Sequence, residues 1–181
     1  MEWISSLFKS KATSSTLTNF KAAGCVFTDG KYILAGYQPK RSEYNISGFG
    51  GTRLDGETYM QTAIRETLEE FFEVDVPKYL IDDIEQMLNP TATNINDTYV
   101  LVQYTFEDLI KILEQSKSAC KHTDLYDVFP ESLNDLIFNR NYSSRSEVQQ
   151  LCLLPFKSNI KIGRDFKMDI TLIDNCRVVL K

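Results

Sequence analysis

The chain has one histidine and four cysteines in 181 residues. Cys25, Cys120, Cys152 and Cys176 form no Cys-x-x-Cys pair and His122 stands alone, so a zinc-type His/Cys cluster is not expected. No apolar run approaches the roughly 18–20 residues that a membrane crossing needs. The acidic Met1-Glu2 start opens no signal-peptide pattern. A soluble, intracellular protein of a reducing cytoplasm is therefore expected, with no membrane partner. Asn45, Asn96 and Asn141 head Asn-x-Ser/Thr triplets, which in that setting are chance matches. Positive charge is also scarce: 20 Lys and Arg against 25 Asp and Glu leave a formal net charge of −5. Such a balance argues against a surface built for non-specific nucleic-acid binding and confines any RNA contact to a local patch. Internal repeats and low-complexity tracts are absent.

The length and the 43% hydrophobic content suit one well-buried core and are short for two domains. Residues 1–19 read as an N-terminal extension, a small apolar set (Trp3, Ile4, Leu7, Phe8) followed by a Lys/Ser/Thr-rich stretch. Residues 20–181 read as a single domain. Ala22 to Thr28 and Tyr32 to Tyr37 are strand-like, and Asp29-Gly30 between them predicts a two-residue hairpin turn. A polar loop with Lys40 and Arg41 leads to a strand over 46–52, whose Gly48, Gly50 and Gly51 would let the backbone approach a phosphate or metal. Helical spacing recurs from Tyr79 to Leu88, and Tyr99 to Phe106 reads as a buried strand. Leu109 to Leu113 and Leu133 to Ile137 suggest two further helices, an insertion at about 107–146 with a polar linker over 117–124. Val148 to Phe156 returns to strand pattern, and 170–180 closes the chain as a helix.

The densest chemistry lies between Gly51 and Glu70. Met60, Ala63, Ile64, Leu68 and Phe71 recur at the helical period, while Thr62, Glu66, Glu69, Glu70 and Glu73 fall on the opposite side. Thr58 and Gln61 form a capping box, placing the helix start at Thr58. Like charges three and four residues apart oppose a helix by roughly 0.2–0.5 kcal/mol per pair. A hard divalent cation bound by Glu66, Glu69 and Glu70 would reverse that sign. Glu57, just ahead of the helix, can turn back toward this side, and Arg65 can orient carboxylate oxygens through bidentate hydrogen bonds.

In order, Gly51, Glu57, Arg65, Glu66, Glu69 and Glu70 match the Nudix box: glycine, five residues, glutamate, seven residues, then Arg-Glu-x-x-Glu-Glu. The chain thus resembles the Nudix hydrolases. Thr67 stands where that pattern prefers an aliphatic residue, Phe72 where it has glycine and Glu73 where it has another aliphatic. Without that glycine the helix is free to run toward Val74, ending before Pro77. The resemblance implies an α/β fold, an α/β/α sandwich with a mixed sheet, here with an extra helical insertion. It implies Mg²⁺ or Mn²⁺ held by Glu66, Glu69, Glu70 and the Gly51 carbonyl. The implied activity is hydrolysis of a nucleoside diphosphate linked to another group, with Glu57, Arg65 and Glu69 in the catalytic set. Glu147 is the candidate general base, since Glu-Val-Gln-Gln-Leu-Cys-Leu-Leu-Pro resembles a segment that follows the substrate loop in family members; an exposed loop glutamate is the equal alternative.

Arg53, inside the motif loop, and Arg140 and Arg145, flanking Tyr142, are candidate substrate contacts that could grip phosphates beside a stacked base. For the latter two a solvated loop is the blander alternative. The insertion tilts the substrate toward capped RNA 5′ ends or dinucleoside polyphosphates, in loose resemblance to the mRNA-decapping members of large DNA viruses. ADP-ribose or nucleotide sugars, noncanonical nucleoside triphosphates, a non-catalytic binding module and a structural partner protein remain open, as does the oligomeric state.

Overall fold

The computed structural model describes residues 19–39, 45–157 and 159–178. Nearly all of the N-terminal extension, Lys40 and Arg41, and residues 179 and 180 of the helix expected over 170–180 lie outside them. The strands are β1 (Ala22–Phe27), β2 (Tyr32–Tyr37), β3 (Ile46–Ser47), β4 (Phe49–Thr52), β5 (Ala92–Asn96), β6 (Tyr99–Tyr104) and β7 (Gln150–Pro155). The helices are α1 (Tyr59–Phe72), α2 (Lys78–Met87), α3 (Phe106–Cys120), α4 (Leu133–Phe138) and α5 (Arg164–Val178). One sheet runs β4-β1-β6-β5, parallel only between β1 and β6; the other runs β3-β2-β7 and is antiparallel.

Side-chain alternation assigns each strand two faces, as a period of two requires. Cys25 and Phe27 of β1, Leu34 of β2 and Val100, Val102 and Tyr104 of β6 enter the main core with α1 to α4. Val26, Ile33, Ala35 and Leu101 point the other way and pack with Phe166 and Ile173 of α5. Helices therefore cover both sides of mixed β structure, as expected for an α/β protein. Leu109, Ile112 and Leu113 of α3 and Leu136 of α4 join the same core as α1.

Several local expectations change, and the final helix, expected from 170, starts at Arg164. The Asp29-Gly30 turn joins two sheets rather than closing a hairpin: only the Thr28–Ile33 bridge links the segments. Gly30 has φ 88° and Asp29 is not left-handed; the Asp29 carboxylate instead accepts from the amides of Lys31 and Tyr32 at 2.7 and 2.8 Å, an Asx-type turn. The strand over 46–52 breaks at Gly48, so that β3 pairs with β2 and β4 with β1. The strand read as reaching Phe106 stops at Tyr104, because the Thr105/Asp108 capping box starts α3 there, and α3 continues into the expected 117–124 linker as far as Cys120. The unforeseen β5 pairs with β6; its Ala-Thr-Asn-Ile-Asn sequence carries little apolar alternation.

Candidate metal centre

Helix α1 begins where the capping box places it. The Gln61 amide donates to Thr58 Oγ1 at 3.1 Å, and the Thr58 amide donates to Gln61 Oε1 at 2.9 Å. The helix stops at Phe72, short of Val74. Glu73 takes the left-handed conformation (φ 51°, ψ 45°) that glycine usually supplies, and its amide donates to the Glu69 carbonyl at 2.8 Å.

The division of α1 into a core side and a carboxylate side is too simple, since Thr62, Arg65 and Glu70 are all buried. Strand β4 lies against Arg65 and Glu66. A Cβ on Gly51 would sit 2.3 Å from Glu66 Oε2, so only glycine lets that carboxylate rest on the strand. Gly50, with φ 151°, similarly meets Gly24 on β1, where an added Cβ would lie 2.5 Å from the Gly24 Cα. The close approaches at this glycine-rich strand thus serve protein groups.

Arg65 organises the cluster. Its Nε donates to Glu57 Oε1 at 2.7 Å and Nη2 to Glu57 Oε2 at 3.2 Å, the bidentate pair anticipated from sequence. Nη1 is shared by Glu66 Oε1 and Glu69 Oε2, both at 2.9 Å, and Nη2 also reaches the Thr52 carbonyl at 2.8 Å. All five guanidinium N–H groups are thereby used. Burial works against the Arg65 charge, but the Glu57 hydrogen bond and the Glu66 charge outweigh it and raise its pKa. Burial likewise opposes ionisation of Glu57, yet the hydrogen bonds from Arg65, the Leu54 amide and the Thr62 hydroxyl hold its pKa below the usual carboxylate range. Glu69 goes the other way: burial raises its pKa, Arg65 lowers it, and the neighbouring Glu66 charge helps leave it raised. Glu69 shares a single nitrogen of Arg65, whereas Glu57 takes two.

Glu70 points elsewhere. Its Oε1 accepts from Gln38 Nε2 at 3.3 Å, and Gln38 Oε1 is buried with no hydrogen-bond partner among the described residues. Gln38 escaped the sequence reading because it lies 32 residues away, at the end of β2, with no local pattern to mark it.

This donor set matches a hard divalent cation in kind: carboxylate oxygens of three acids, Glu57, Glu66 and Glu69, around one arginine, with the Glu69 pKa raised first by burial and then by the Glu66 charge. Glu66 and Glu69 each engage Arg65 through one oxygen and keep the other clear of it. As they stand, no three acidic, histidine or cysteine groups among the described residues converge in a metal-holding arrangement. An ion would have to draw the glutamates together.

The other candidates lie apart. Arg53 Nε donates to the Glu57 carbonyl at 3.0 Å while its guanidinium sits 4.4 Å over the Phe20 ring, bracing the motif loop. Arg145 and Glu147 are exposed on the segment leading into β7. Arg140 is neither a substrate contact nor a solvated loop residue. It is buried, and its four Nη N–H groups go to the carbonyls of Glu70, Phe71 and Val148 and to the Tyr126 hydroxyl. That leaves it no paired donors for a phosphate.

Beside β4, on the α5 side, is a cleft of about 720 Å³ lined by Gly50, Gly51, Asn96, Tyr99, Arg164 and Phe166, among others. A second cleft of about 620 Å³, lined by Phe156, Lys161, Arg164, Lys167 and Ile170, shares Arg164 with it. No helix among the described residues is long and apolar enough to cross a membrane.

Fold and site together define an α/β protein with an arginine-centred carboxylate cluster on a capped helix. Similar solved structures include a bifunctional NMN adenylyltransferase/ADP ribose pyrophosphatase from Francisella tularensis complexed with AMP and manganese ion (15% identity over 87% of this chain and 42% of that one, TM-score 0.48). A second structure of such a protein from the same organism matches at 14% identity over 87% and 41%, also with TM-score 0.48. A mutator MutT protein from Bacillus halodurans matches at 14% identity over 73% of this chain and 95% of that one, with TM-score 0.27. This chain spans less than half of the Francisella proteins. No family model matches the chain, and no curated protein does.

Proposed function

We propose that the protein is a divalent-cation-dependent Nudix-type pyrophosphohydrolase that cleaves a nucleoside diphosphate linked to another group, most specifically an mRNA cap or a dinucleoside polyphosphate. The observation that carries this reading is the Arg65 cluster: Glu66 and Glu69 of α1 gathered with Glu57 around one guanidinium, against a strand whose Gly51 has room for nothing larger. Glu66, Glu69 and Glu70 would hold Mg²⁺ or Mn²⁺, which supplies charge neutralisation of the diphosphate and activation of water. Arg65 and Glu57 hold the cluster in place. A carboxylate takes the water proton as a P–O bond forms and the bridging P–O bond breaks. Glu147 is the proposed acceptor; Glu69, with its raised pKa, is the one already within the cluster. Two clefts meeting at Arg164 favour a substrate with a bulky second group.

The test is a panel of nucleoside diphosphate derivatives with Mg²⁺ and Mn²⁺, products identified by mass. Capped RNA should release an m⁷GDP-type product, and Glu69→Gln and Glu70→Gln should abolish turnover with the fold intact. Retained cap with rapid ADP-ribose cleavage would reject the substrate. The burial of Glu70 against Gln38, turned from the Arg65 cluster, favours one second reading, a non-catalytic nucleotide-binding module. Nucleotide binding with no turnover of any panel member would establish it.

A further inference from the structure

The last four carbonyls of a helix lack partners within it. In α1 these are the carbonyls of Glu69, Glu70, Phe71 and Phe72, and each is accounted for. The Glu73 amide takes Glu69, Thr123 Oγ1 takes Phe72 at 2.5 Å, and Arg140 takes the two between, Nη2 to Glu70 at 3.0 Å and Nη1 to Phe71 at 2.5 Å. The same Nη2 donates to the Val148 carbonyl at 2.7 Å. One nitrogen therefore ties the turn of α1 that carries Glu69 and Glu70 to the residue following Glu147. Tyr126 fixes the guanidinium from behind, its hydroxyl 3.1 Å from Nη1 and its ring centroid 5.6 Å from the guanidinium carbon.

From this we infer that Arg140 is a positioning residue of the carboxylate centre. It sets the end of α1, where no glycine cap exists, against the entry to β7. A protonated guanidinium is also the right charge at a helix C-terminus, where the macrodipole is negative. The inference rests on the proposed function for its metal-binding consequence but not for the clamp itself. Losing the clamp lets the Glu69–Glu70 turn and the Glu147 segment drift apart while leaving the Arg65–Glu57 pair in place.

Arg140→Met removes the donors and keeps a comparable side chain. Thr123→Val removes the neighbouring cap without touching Glu70 or Val148, and so controls for loss of stability. Outer-shell changes cost metal affinity or activity roughly 10- to 100-fold. Arg140→Met should therefore weaken Mn²⁺ binding, followed by the resonance of free Mn²⁺, by that factor and lower kcat with little change in KM. Its Glu73 and Gln149 amides should exchange hydrogen at least about tenfold faster through local opening. Thr123→Val should speed only Glu73 and leave Mn²⁺ affinity near wild type. Unchanged exchange at Gln149 in Arg140→Met, or equal loss of Mn²⁺ affinity in both variants, would overturn the proposal. A wild-type protein that binds no Mn²⁺ sinks the proposed function, and the exchange result then decides the clamp alone. If Arg140→Met does not fold, Arg140→Lys, which keeps the charge but spans fewer acceptors, is read by the same measurements.

Discussion

At the residue scale, the cluster balances five guanidinium donors against more negative charge than one arginine neutralises. Two predictions follow from that imbalance. In Gly51→Ala the new methyl would lie 2.3 Å from Glu66 Oε2. The carboxylate must move off β4, and Mn²⁺ affinity should fall by roughly 10- to 100-fold, measured by titration, with far less effect on melting. The second concerns Glu69, whose pKa is raised in the folded state. The folded chain then holds that proton more tightly than the unfolded chain. Its contribution to stability is most favourable below the unfolded carboxylate value and is lost as pH rises through the raised folded value. At neutral pH without divalent cation, Glu69 therefore opposes folding. Glu69→Gln should raise the melting temperature there while removing turnover; a lowered melting temperature would mean that the Arg65 contact outweighs the burial and repulsion.

At the element scale, the start of α1 was legible and its end was not. Thr58 with Gln61 announces the start of α1 within four residues of chain, because a capping box is a local hydrogen-bond exchange. The end of α1 depends on Arg140 and Thr123, 69 and 51 residues away, and no local pattern could show it. Arg140 looked like a phosphate grip because it sits beside Tyr142 in a polar stretch; the fold turned it inward to the carbonyls of α1. Glu73, left-handed at φ 51°, is the residual cost of the missing glycine. A left-handed β-carbon-bearing residue costs about 1 kcal/mol or more, so Glu73→Gly should stabilise the protein by about that amount in denaturant unfolding. No gain would mean that the Glu73 side chain makes a compensating contact.

At the scale of the whole molecule, charge is unevenly spread. The chain is net acidic, yet Lys157, Lys161, Arg164 and Lys167 fall within a short span around the second cleft, three of them lining it. On the proposed function, phosphates beyond the diphosphate to be cleaved would be attracted there, with a strength that falls with salt. Lys161→Glu with Lys167→Glu should raise KM several-fold for a capped RNA at low salt, converging with wild type at high salt, and leave hydrolysis of a short dinucleoside polyphosphate unchanged. Equal losses on both substrates would place the long substrate elsewhere.

The sequence by itself determined what is local: most of the strands and helices, the start of α1, the register that brings Glu66 and Glu69 to Arg65, and the reach of Glu57 back to Arg65. Each follows from contacts a few residues apart, which periodicity and capping encode directly. Tertiary structure alone decided the rest. It split one expected strand at Gly48 between two sheets, buried the carboxylate side of α1 against β4, paired Glu70 with Gln38 and made Arg140 a clamp. These depend on which distant backbone groups are left to be satisfied when the layers close, a demand that exists only once the chain has packed.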